Sequence, residues 1–247
     1  MSRVWIICGR ELRTTFGSPV AYILMAVYLL LGGYFFYSDL VFVLLMSSFT
    51  PVSGLWQWVF LDLRLVTLLI VPLITMRLFA EEKKLGTLEL LWTYPVRDAE
   101  IVAGKFLAAV AVFIVMLAPT TIPCAMLYAY DPFPLGPLLA AYLGLVLLGI
   151  GFIACGLLVS SLTENQVVSA MVTYGILVFF WFLTWNEEAA NQAVLRVLLG
   201  LSLFDRFFNF TRGVIDTMDL TFFALFIAFF LFLTWQSLAS RKWRGVP

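Results

Sequence analysis

R-L-F-A-E-E-K-K-L-G-T-L-E-L-L-W-T-Y-P-V-R-D-A-E, from Arg77 to Glu100, is a charged island between two long apolar runs. Extended to Lys105, it holds five of the fifteen basic and five of the fifteen acidic residues in a chain of 247. The rest is oily: 63% of residues are hydrophobic and 12% charged, against about 25% charged in a soluble domain. A soluble protein of this length has no means of hiding so much apolar surface, so the bilayer is its solvent.

Working outward from the island, six runs have the roughly 20 apolar residues that a membrane helix requires. They are Val20–Tyr37, Trp58–Met76, Phe106–Tyr128, Pro137–Ser160, Gln166–Trp185 and Leu220–Ser237. The expected architecture is an all-α integral membrane protein of six transmembrane helices, forming a single domain over 1–247. Asp62 and Arg64, beside Trp56 and Trp58, are expected at the membrane interface rather than mid-bilayer. No small-residue cleavage site follows the first run, which is read as a retained span.

Basic residues set the orientation. Arg3, Arg10, Arg13, Arg77, Lys83, Lys84, Arg97, Lys105, Arg241, Lys242 and Arg244 fall on one side, and Arg196, Arg206 and Arg212 on the other. Both termini and the island are therefore expected in the cytoplasm. Residues 1–19 read as a basic amphipathic interface helix, with Val4, Trp5, Cys8, Leu12 and Phe16 on its apolar side and Gly17-Ser18-Pro19 as an elbow. A plain positive-inside flank explains the same residues.

Several chemistries are excluded. The chain contains no histidine, which removes imidazole acid/base catalysis and histidine metal sites. Its three cysteines, Cys8, Cys124 and Cys155, form no C-x-x-C pair and read as small apolar residues. No metal site is expected. Zero net charge gives no footprint for nucleic acid. The absence of a G-x-x-x-x-G-K-[ST] loop removes ATP binding of that kind. Ser47, Ser48, Ser160 and Ser161 offer hydroxyls at span ends, each without a candidate base, so an intramembrane enzyme is disfavoured.

Within the island (77–105), the second span is expected to continue as a helix past the membrane, with Arg77 and Glu81 paired one turn apart. Gly86 ends it, Thr87 caps a short helix over Leu88-Glu89-Leu90-Leu91-Trp92, Pro95 stops that, and Asp98 caps the helix leading into span three. The short helix either dips into lipid or docks on a soluble partner. Glu81, Glu82 and Glu89 sit poorly beside an anionic leaflet.

The run Met76–Val96 resembles the cytoplasmic loop of ABC exporter permeases of the second type, in wording close to the branch containing the gliding-motility permease GldF and the NosY-like proteins. Ser202–Asp216 and Arg10–Tyr22 resemble the same branch, so the likeness extends over essentially the whole chain. It implies that the loop forms a coupling helix seated in an ATPase subunit, with Glu81, Glu82, Lys83, Lys84, Gly86, Thr87, Leu88, Glu89, Leu90 and Leu91 at or beside the contact. It also implies a dimer with a second copy or a homologue, and a possible auxiliary membrane protein of the GldG kind. This chain would bind no cofactor, ATP and magnesium belonging to the partner ATPase. The expected function is the permease subunit of an ABC exporter, itself non-catalytic; the alternative is an ATPase-driven mechanical or regulatory membrane module.

Two features inside the membrane complete the reading. Pro119, Thr120, Thr121 and Pro123 in span three remove backbone donors and predict a kink or local unwinding, read either as a static bend or as a hinge and path lining. Ala140, Gly144, Gly151 and Cys155 on span four predict close helix packing. In the outer loop 186–219, short helices with Phe204, Phe207, Phe208 and Phe210 are expected as an interfacial cap or an external gate.

Overall fold

A computed structural model describes residues 3–45, 55–87, 97–130, 132–182 and 202–243. Ser47, Ser48, Arg196 and the predicted short helix at Leu88–Trp92 lie outside them, as does most of the first outer segment. Among the described residues there are helices and no strand, as backbone groups in lipid require. In chain order they are α1 (Arg3–Phe16), α2 (Pro19–Leu45), α3 (Leu55–Thr75), α4 (Arg77–Lys84), α5 (Asp98–Leu117), α6 (Thr121–Tyr130), α7 (Leu135–Leu162), α8 (Gln166–Phe182), α9 (Leu203–Thr211) and α10 (Thr217–Trp243).

Five stretches are long and apolar enough to cross a membrane: Pro19–Leu45, Leu55–Lys84, Asp98–Tyr130, Leu135–Leu162 and Thr217–Ser240. The fifth predicted span, Gln166–Trp185, corresponds to the shorter apolar α8, and its last three residues fall outside the described part. α2 continues two turns beyond the predicted Tyr37, to Leu45.

α7 is the hub. It packs against α3, α4, α5, α8, α9 and α10, and its buried face runs from Leu138 to Ser161. Small residues make this possible, but the tight set differs from the predicted stripe. A side-chain carbon at Gly144 would stand 2.5 Å from Phe210, at Gly149 2.3 Å from Phe113, and at Gly156 2.1 Å from Thr75. Gly151 meets only ordinary contacts. The notches are therefore on two sides of α7, because helices approach it from both.

Three sequence readings are sharpened or changed by the structure. Arg64 lies nine residues inside α3, its guanidinium over the rings of Trp181 at 4.5 Å and Phe204 at 5.0 Å. Aromatic faces supply the negative potential that lipid does not. Phe204, Phe207 and Phe210 do not form an outer surface but are buried against the body, and Asp219 holds α9 there by accepting from Arg206 and Asn209, both at 2.9 Å. The cap of α5 is not Asp98: the Glu100 carboxylate reaches back to accept from the Arg97 N–H at 2.9 Å.

The notches give a direct test. Gly156→Ala is expected to destabilise the detergent-solubilised protein by about 1–3 kcal/mol through overpacking. Gly136→Ala, with nothing within 4 Å, is expected to leave the thermal melting temperature nearly unchanged.

Candidate functional site: a charged junction behind the island

α4 is held to the body of the protein from two sides. Nothing at Met76 caps its first turn by side chain; instead Ser160, at the end of α7, does so from across the bundle. The Ser160 hydroxyl accepts from the N–H groups of Phe79 at 3.0 Å and Ala80 at 3.1 Å, and donates to the Met76 carbonyl at 3.1 Å. These are the free donors that begin every helix. One turn on, the Lys83 ammonium donates to the Ser161 carbonyl, and the Ser161 hydroxyl donates to Ser237 of α10 at 3.2 Å.

The second attachment is ionic and centres on Lys105, whose side chain is fully buried. Its ammonium stands 3.1 Å from a Glu11 oxygen on α1 and 3.0 Å from a Glu82 oxygen on α4, and donates to the Leu78 carbonyl at 2.7 Å. The Phe79 ring lies beneath it at 5.2 Å. Arg10 bridges the same two carboxylates, donating to Glu11 at 2.7 Å and to Glu82 at 2.8 Å. Two cations thus share two carboxylates across three helices. Burial alone would push the Glu11 carboxyl upward; Lys105 and Arg10 outweigh it and hold the group below its usual range.

α1 can approach closely because Gly104 leaves room for it: a side-chain carbon there would stand 2.7 Å from Ile7. α1 buries Ile7 and Cys8, while Trp5 and Ile6 are exposed. Of the predicted apolar side, Cys8 is buried and Val4, Leu12 and Phe16 are half-buried, while Trp5 is exposed; Ile7 joins the face that packs on protein.

The ATPase-contact residues read from the sequence divide into groups. Glu82 and Lys83 are engaged with the body. Lys84, Gly86 and Thr87 are exposed at the tip. Gly86 adopts φ 68°, the left-handed geometry that ends a helix, and the Thr87 hydroxyl donates back to the Glu82 carbonyl at 3.3 Å. Glu81 is part-exposed and forms no ion pair with Arg77 among the described residues. Leu88, Glu89, Leu90 and Leu91 lie outside the described part.

The proline segment of span three is a 3-10 turn over Ala118–Thr120 between α5 and α6, the local unwinding that its two prolines predict. Thr120 donates to the Leu117 carbonyl at 2.7 Å and lies 3.2 Å from the Tyr142 hydroxyl, while Thr121 donates to the Ala118 carbonyl at 2.7 Å. Pro119, Thr120 and Pro123 line a cleft of about 290 Å³ with Gly32, Phe36 and Tyr142; Thr121 does not. The sequence missed the junction because its partners come from α1, α4 and α5, 94 residues apart for Glu11 and Lys105. A lysine within a helix rich in alanine and valine was the available signal.

This is a multi-pass helical membrane protein whose charged junction backs a short exposed helix end. Its sequence matches the family described as ABC-2 family transporter protein over residues 5–187. The chain belongs to that family and is a permease-type membrane component of an ABC transporter. No curated protein matches it significantly.

Removing Lys105 leaves two largely buried carboxylates with Arg10 as their one remaining cation. Lys105→Ala is expected to cost about 3–5 kcal/mol, read as loss of thermal stability, with partial recovery when Glu11→Gln and Glu82→Gln are added. The pH dependence has a defined sign. A carboxyl whose pKa is lowered on folding contributes stability above its unfolded value, lost as pH falls through the folded one. The Glu11 contribution to stability is therefore expected to be flat from pH 7 to about 5 and to be lost below about 4, so the loss of stability in acid is smaller in Glu11→Gln.

Proposed function

We propose that this chain is the permease subunit of an ABC exporter of the second type, a six-span protein of the bacterial inner membrane with both termini in the cytoplasm. Two copies, or one copy and a homologue, form the path and pair with two ATPase subunits that bind ATP and magnesium. The placement in the GldF/NosY-like branch, with a GldG-like auxiliary protein, rests on the wording of Met76–Val96, Ser202–Asp216 and Arg10–Tyr22.

One observation carries the coupling: α4 ends in exposed residues at Lys84–Thr87 while its other faces are tied to α7 through Ser160 and to α1 and α5 through Lys105. A soluble subunit that displaces the island displaces α4. Since α4 has no slack at either attachment, the displacement passes to the hub and to span three. Lys84, Gly86, Thr87 and Leu88–Leu91 form the contact itself, and Glu82 and Lys83 fasten it from behind. Further along span three, the 3-10 turn at Pro119–Thr120 is the place where α5 and α6 change their mutual angle, beside the cleft lined by Tyr142.

The test begins with purification of the tagged chain in mild detergents. A nucleotide-binding subunit is expected to accompany it, and Thr87→Cys is expected to cross-link to that subunit, whereas Tyr130→Cys, at the end of span three away from the island, is not. Absence of any nucleotide-binding subunit across several detergents overturns the proposal.

A further inference from the structure

A cleft of about 470 Å³ opens between α1, α2, α4 and α5, immediately beside the junction. We propose that it binds one zwitterionic amphiphile, a glycerophospholipid whose headgroup carries a phosphate and a primary amine. The proposal does not depend on the ATPase reading.

The charged residues lining the cleft are Arg10, Glu11, Arg77, Glu81, Glu82 and Lys105. Four of these answer one another in the junction. Arg77 and Glu81 do not take part, and neither forms an ion pair or a side-chain hydrogen bond among the described residues. Their spacing of one helical turn is the spacing that ordinarily lets such a pair meet. The Arg77 Nε is buried with no acceptor, and a buried donor left unmade costs free energy. The cleft therefore offers one cation and one anion, each without a partner among the described residues.

Deeper along the helices the lining is apolar, with Leu24, Met25, Leu73, Ile74, Val112 and Met116. From Lys105 to Met116 the cleft follows α5 for about 16 Å, at 1.5 Å per residue. A ligand that answers the whole surface carries both signs of charge at one end and a hydrocarbon chain at the other. The phosphate accepts from the planar guanidinium fork of Arg77, and the ammonium donates to Glu81. An inorganic phosphate leaves the apolar walls uncovered. An anionic lipid leaves Glu81 without a cation, and a choline headgroup has no N–H to donate.

The experiment uses the full-length chain, purified and mixed with equimolar phosphatidylethanolamine, phosphatidylglycerol and phosphatidylcholine, with retained lipid read by native mass spectrometry. One phosphatidylethanolamine is expected to be retained about tenfold over either of the others, the weight of one charge-assisted hydrogen bond. Glu81→Gln is expected to abolish its advantage over phosphatidylcholine and raise phosphatidylglycerol. Arg77→Gln is expected to lose all three, with Arg77→Lys restoring part. Glu164→Gln, an exposed change on another turn, is expected to alter nothing. Equal retention of the three lipids by the unmodified chain, or a preference that Glu81→Gln leaves intact, overturns the proposal. No ATPase is present in this assay, so its failure leaves the exporter reading untouched.

Discussion

A fully buried ammonium at Lys105 is the constraint on which the charged end of the bundle depends. Taking such an ion out of water costs several kcal/mol unless its charge and all its donors are answered. Lys105 has three donors, and three oxygens surround it, from Glu11, Glu82 and the Leu78 carbonyl. The first requires α1 to lie across α5, which Gly104 permits. The second and third require α4 to continue the line of α3 and return its inner face to the bundle. If α1 or α4 is displaced, the Lys105 ammonium loses one of its two carboxylates. The position of α1 is thus set by protein contacts as well as by its basic, amphipathic composition.

The same logic explains why α4 behaves as part of the body although it extends past the apolar part of α3. Its first-turn donors end on Ser160 and its carboxylate ends on Lys105 and Arg10. The Ser160 bonds and the Lys105 pairs are buried, where such interactions are stronger than at a surface. α7 receives one attachment and span three the other. These are the elements that border the cleft at Pro119, Thr120 and Tyr142, so the charged end and the membrane interior share the same helices.

Helix placement was legible where composition and length decide it. The cores of the six apolar runs, Gly86 as the end of α4 and the unwinding at Pro119 each follow from a local rule: segment length, left-handed backbone freedom, a missing N–H. What was not legible depends on which residues meet. Ile7 blurred the amphipathic pattern of α1 and turned out to be its contact with Gly104. Lys105 counted as one more basic residue on the positive side, although it is the most buried charge described. Arg77 and Glu81 have the spacing of a pair and do not make one. Phe204, Phe207 and Phe210 read as part of an interfacial cap or gate, and the bonds of Arg206 and Asn209 to Asp219, which set them against the body, were not legible. In each case a contact between distant segments overrides the local pattern.

In the proposed coupling, α4, tied through Glu82, Lys105 and Arg10, moves as one piece with α1 when the island is driven. Spin labels at Arg13 and Lys84, both exposed, report it through their separation by pulsed electron resonance in the complex with the ATPase. The same distance distribution is expected in the nucleotide-free and ATP-trapped states, while labels on either helix shift relative to α2. A separation between Arg13 and Lys84 that changes by several ångströms between those two states contradicts it.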